Sequence, residues 1–250
     1  MRTALVLVML CAGVARAEEL DAGRLAELAT VTHKDAQKTK DPKKYEEAAG
    51  YYEKYFAKPD DKEGVMAFYY AELLFNMQRY DQAAKMYERS ITVEPKGKFA
   101  EEAAYAYVIS TKNAIRKDDA AGKPPCPDAK PCAIPAEKQR LLTAFERYLA
   151  IVTPTNKDRA TMEYRRAQLL YEYNHFVEAA PLFDHVFVAY PGNELATYSA
   201  NLEMHCLAAA KRYAELRALV ERVKKSPAMK DAITQKQVAD IEAGLKKRGK

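Results

Sequence analysis

Residues 71–104 read AELLFNMQRYDQAAKMYERSITVEPKGKFAEEAA, and residues 167–200 read AQLLYEYNHFVEAAPLFDHVFVAYPGNELATYSA. At a shift of 96 positions, Ala71, Leu74, Tyr80, Ala83, Tyr87 and Pro95 meet Ala167, Leu170, Phe176, Ala179, Phe183 and Pro191. The correspondence continues past the prolines, where Phe99, Ala100 and Ala104 meet Leu195, Ala196 and Ala200. Small residues return as small, aromatics as aromatics and proline as proline. An internal repeat of this kind decides the fold before local propensity does.

The spacing has a direct physical sense. An Ala at the middle of each helix of a pair lets two antiparallel helices approach closely. The aromatic four residues past the second Ala fills the space between neighbouring pairs. Pro95 and Pro191 cannot continue a helix, so each marks where a pair ends. One pair cannot bury its apolar faces alone, which predicts stacking into a solenoid. Ala83–Tyr87 and Ala179–Phe183, each followed by its proline, resemble the second-helix signature of tetratricopeptide (TPR) repeats. The Trp and Gly usual in the first helix are replaced here.

In that register Tyr45, Ala48, Tyr52 and Pro59 repeat the second-helix pattern, so a first pair covers about residues 20–60 and a second about 63–95. A third begins at Phe99 and finishes with Leu141, Phe145, Tyr148 and Pro154, with an insertion between its helices. The fourth covers about 159–190 and the fifth about 194–225, with Tyr213 at its inter-helix turn. Ile233, Val238, Ile241 and Leu245 then share one face of a terminal capping helix. The expected fold is all-α, a TPR-type solenoid of about five antiparallel pairs plus a cap. Residues 18–230 carry the repeats and 231–250 the cap and a basic tail.

Residues 1–17 read as a cleaved signal peptide. Arg2 is the positive start, Ala4 to Val14 an apolar run too short to span a bilayer, and Ala15-Arg16-Ala17 the cleavage site. Cys11 is a rival lipidation site, but Leu10 precedes it where such sites resemble a small residue. No second apolar stretch reaches membrane-spanning length. The mature chain is therefore expected to be soluble, exported and periplasmic, starting near Glu18. The chain has 40 Lys+Arg and 35 Asp+Glu; setting aside Arg2 and Arg16 leaves 38 against 35, too even for a nucleic-acid surface.

The insertion, residues 117–136, reads KDDAAGKPPCPDAKPCAIPA and has no helical period, so it is a loop. In an exported chain Cys126 and Cys132 read as a local disulfide, closing a ring that stiffens the loop more than the domain. A metal site lacks the ligand set, and a redox pair is more often C-x-x-C at a helix start. Cys206 reads as a buried thiol, since its neighbour His205 projects from a different face of the helix. No metal-binding, phosphate-loop or nucleophile-elbow motif occurs, so no catalytic residue, metal or cofactor is expected.

The working surface follows from the TPR resemblance, in which the first helix of each pair lines a concave, partner-binding groove. It implies Phe68, Glu72 and Phe75 in the second pair, Tyr164, Gln168 and Tyr171 in the fourth, and Tyr198, Asn201 and His205 in the fifth. Two readings of the aromatics stand side by side: binding anchors, or packing between neighbouring helices. The C-terminal KKRGK, with Lys224 and Lys225 upstream, is a frayed helix end or a weak contact for anionic envelope polymer. The expected function is a non-catalytic periplasmic scaffold holding a protein partner within a bacterial cell-envelope machine, such as outer-membrane assembly, secretion, motility or cell-wall synthesis. The alternative is an accessory subunit or carrier for cell-wall or polysaccharide substrate.

Overall fold

A computed structural model describes residues 20–115, 125–128 and 130–248. The expected signal peptide with Cys11, and residues 117–124 and 129 of the insertion, lie outside the described residues. Among the described residues there are eleven α-helices and no strand. They are Ala22–Thr39 (α1), Pro42–Phe56 (α2), Glu63–Asn76 (α3), Tyr80–Val93 (α4), Ala100–Ala114 (α5), Ala136–Ile151 (α6), Arg159–Glu172 (α7), Phe176–Ala189 (α8), Glu194–Ala209 (α9), Tyr213–Lys224 (α10) and Ala232–Arg248 (α11). The arrangement is all-α and of the TPR type: five consecutive pairs and a closing helix. No described helix is long and apolar enough to cross a membrane.

The chain divides into two compact units, one ending at Asp61 and one beginning at Lys62. In the first, Asp21 caps α1 by accepting from the Arg24 N–H at 2.7 Å, and Asp41 caps α2 with Pro42 in the first turn. Ala29 and Ala48 are fully buried, so the two backbones come close, and Tyr52 and Tyr55 fill the remaining space. Buried His33 is within 3.2 Å of the Tyr52 hydroxyl, and burial pushes its pKa down to about 4.

In the second unit each helix packs on the next. Ala71, Ala83, Ala167 and Ala179 are fully buried, and Tyr87 and Phe183 are sealed beside them. Burying a side chain of that size contributes roughly 2–3 kcal/mol. The turns inside three pairs are built alike. Gln78, Asn174 and Lys211 adopt left-handed backbone, φ 58–59°. The next N–H then reaches back five residues, Arg79 to Leu74, His175 to Leu170 and Arg212 to Leu207, at 2.9–3.0 Å. This satisfies a carbonyl that the helix end leaves open. On α11, Val238 and Leu245 are buried and Ile241 packs on the core. Ile233 departs from the expected buried face: it is 72% exposed, at an open hollow that Met204, His205 and Ala208 of α9 also line.

Candidate functional site

The third pair inherits the register of the second. Ala104, Val108 and Thr111 are buried where Ala67, Ala71 and Leu74 are buried 37 positions earlier. Tyr105, Ile109 and Lys112 therefore stand where Phe68, Glu72 and Phe75 stand on α3. This α5 face, the α7 face bearing Arg165, Gln168, Leu169 and Glu172, and α6 between them enclose a groove of about 940 Å³. Its floor is Leu141 and Phe145 of α6, and Tyr80 lies at one edge. Tyr105 is 39% exposed and meets Tyr148 edge-on at 6.4 Å.

Charge on the walls is uneven. Lys112, Lys138 and Arg165 come from three helices against the single Glu172. Arg165 donates to Gln168 Oε1 at 2.6 Å and lies over the Tyr164 ring. Desolvation lifts the Glu172 carboxyl above its ordinary range, while Lys138 and Arg165 pull it down. Cations around an apolar floor suit a segment with apolar anchors and acidic flanks.

The residues expected from the repeat frame distribute unevenly. Gln168 lines the groove, and Phe75 meets Tyr80 at its edge with ring centroids 5.3 Å apart. Phe68 is corrected from candidate anchor to core: it is 4% exposed, because Phe99 stacks flat on it at 4.4 Å. Glu72 is half-buried and accepts a hydrogen bond from the Tyr87 hydroxyl. Burial, then Glu72, raises the Tyr87 hydroxyl above its ordinary range. Tyr164 and Tyr171 are half-buried against Phe183, and burial raises both hydroxyls. On α9, Tyr198 is 51% exposed and His205 is exposed, edge-on to Tyr171 and Phe176. Asn201 is half-buried, its carbonyl accepting from Gln237 at 2.9 Å. Tyr105, Ile109, Lys112, Lys138 and Arg165 go unnamed in a reading of the best-matched pairs. The recurrence of Ala67 and Ala71 as Ala104 and Val108 is the signal that finds the α5 members.

The insertion does not stand clear of the repeats as its composition suggests. Cys126 and Cys132 form a disulfide, and Cys126 is buried. The ring lies against the α7–α8 turn. Asn174 Nδ2 donates to the Asp128 and Lys130 carbonyls at 2.8 and 3.2 Å. The Cys132 N–H donates to the Tyr173 carbonyl at 3.2 Å, and His175 Nε2 is 3.0 Å from the Cys132 carbonyl. Composition marks a loop, but docking depends on a turn 42 positions beyond Cys132 presenting Asn174. Cys206 is a buried free thiol, pushed up to about 12 by burial and then by Glu203.

No protein-family model matches the sequence, and no curated protein matches it significantly. Several solved structures share the helical architecture. The chain is similar to a crystal structure of MamA protein at 13% identity, with 90% of this chain and 96% of that chain covered and a TM-score of 0.46. It is similar to the TPR-like repeats of a Podosopora anserina putative kinesin light chain at 12% identity, covering 88% and 97%, with a TM-score of 0.41. BtubC from P. vanneervenii aligns at 14% identity over 81% of this chain and 78% of that one, with a TM-score of 0.41.

Proposed function

We propose that this chain is an exported, non-catalytic scaffold whose groove between α5, α6 and α7 seats a segment of a protein partner, apolar at its centre and acidic at its flanks. The observation that carries this reading is one cavity of about 940 Å³ with Leu141 and Phe145 on its floor and Lys112, Lys138 and Arg165 around it. Apolar floor area supplies affinity and the charged rim supplies orientation and encounter rate. Tyr105 and Gln168 are the central contacts, and exposed Tyr198 and His205 extend the surface along α9. The leader at residues 1–17 and the disulfide favour a periplasmic setting, with a cell-envelope assembly as the place of work. A polysaccharide site would need more amides and acids than Asn113, Gln168 and Glu172, beside a smaller apolar floor.

Fluorescence anisotropy with a labelled peptide of Leu, Phe and Glu tests this on the chain from Glu18 onward. Arg165→Glu and Tyr105→Ala should each weaken binding by about tenfold, a loss on the order of 1.4 kcal/mol. Their melting temperatures should stay near that of the parent. Added salt should weaken binding, since exposed charges are screened. Equal binding of a Leu, Phe and Lys peptide, or indifference to both substitutions, rejects the reading. Binding of a cell-wall oligosaccharide in place of either peptide moves the function to the alternative class.

A further inference from the structure

The Cys126–Cys132 ring joins two neighbouring elements that line the groove, α6 and α7. It leads into α6, whose Lys138 lines the groove, and it holds Tyr173, Asn174 and His175, which directly follow Glu172 of α7. Gln78 and Lys211 share the backbone of Asn174, but among the described residues it is the turn at Asn174 that bonds to the ring.

We propose that this ring is a thiol-sensitive clasp on the groove: closed by its disulfide, it ties the end of α7 to the start of α6, and opened by a dithiol reductant, it releases α7 and weakens partner binding. The proposal rests on the groove being the partner site. In the opening step, a dithiol transfers two electrons and two protons. The Cys126–Cys132 sulfur–sulfur bond breaks into two thiols while the dithiol closes into its own disulfide. A disulfide oxidant reverses the step.

Magnitudes favour release. Ordering one residue's backbone costs about as much as one net hydrogen bond returns, or more. The ring has seven residues, and among the described ones four hydrogen bonds hold it to the α7–α8 turn. With the ring closed, the disulfide restricts the unfolded loop and four bonds suffice. With it open, the ordering cost exceeds what those bonds return. Burial of Cys126 couples the two states to packing as well as to hydrogen bonding.

The test uses the chain from Glu18 onward in three forms: oxidised, reduced with dithiothreitol, and oxidised Asn174→Gly, which keeps the left-handed turn but lacks the amide donor. Hydrogen exchange at the Cys132 amide reads the clasp, and anisotropy of the labelled Leu, Phe and Glu peptide reads the groove. The expected result is faster Cys132 exchange and about tenfold weaker peptide binding in both the reduced and the Asn174→Gly forms. Slow exchange and unchanged affinity on reduction overturn the clasp while leaving the groove intact. Absence of peptide binding by the oxidised form overturns the groove reading, and exchange at Cys132 still decides whether the ring lets go. Should reduction unfold the chain, the oxidised Asn174→Gly form alone carries both readouts.

Discussion

The α3–α4 and α7–α8 pairs, 96 positions apart, share one frame and differ in nearly everything polar set upon it. Ala71, Ala83 and Tyr87 match Ala167, Ala179 and Phe183 in identity or class, and all six are buried. The ion pair at the foot of each is built differently, between the two helices in the second pair and within one helix in the fourth. Arg89 binds Glu63 at 2.6 Å in the second pair, whereas in the fourth Arg159 takes the place of Glu63 and binds Glu163 at 2.9 Å. Beyond α4, the Tyr107 hydroxyl faces Glu88; beyond α8, Glu203 faces Asp184. The frame thus constrains volume at the helix crossings and leaves charge to local compensation, because a misplaced methylene cannot be hidden but a charge can be re-paired.

The frame should break most severely where it is shared. Tyr87→Ala and Phe183→Ala should each cost about 3–5 kcal/mol by denaturant unfolding, since both side chains are sealed and leave a cavity. Phe68→Ala belongs with them, at a similar cost, because Phe99 covers it. Tyr164→Ala should cost clearly less, for its counterpart of Phe99 is Leu195 and the ring is only half-buried. A loss at Tyr164 equal to that at Phe68 would erase the distinction between the two pairs.

A pH-dependent effect separates their polar partners. Burial, and then Asp184, pushes Glu203 up to about 8, against the opposing pull of Arg222. A tyrosine needs no such shift to stay protonated: burial, then Glu88, merely lifts Tyr107 to about 12. Between about pH 4.5, the ordinary value, and pH 8 the unfolded chain has lost a proton that folded Glu203 keeps, so stability falls as pH rises. The slope is at most about 1.4 kcal/mol per pH unit, and it levels once folded Glu203 also ionises. Glu203→Gln should flatten that decline and melt higher than the parent at pH 8. Parallel melting curves for the two proteins across this range would show that Glu203 keeps its ordinary proton affinity.

The smallest effect lies in the turns. Gln78→Gly and Lys211→Gly should each raise stability by about 0.5–1 kcal/mol, because a side chain strains left-handed backbone. Asn174→Gly should not, since it gives up two hydrogen bonds to the ring, each worth about 0.5–1.5 kcal/mol. Chemical denaturation of the three variants tests whether the ring is what distinguishes this turn.

The sequence by itself determined the helix pairs, their boundaries at Pro95 and Pro191, the buried Ala and aromatic positions and the disulfide partners. Those features depend on period and on residue volume, which are local and recur. Only the tertiary structure decided which first-helix aromatics stay accessible. Phe68 and Tyr164 hold equal places in the repeat, yet Phe99 stacks over one, while the other, with Leu195 at the place equivalent to Phe99, is half-buried. It also decided that the groove opens over α6, with Tyr105 and Arg165 on its two walls, and that the Cys126–Cys132 ring docks on Asn174. Exposure depends on whichever residue arrives from the next element, and a hydrogen bond between positions 46 apart leaves no period in the chain to read.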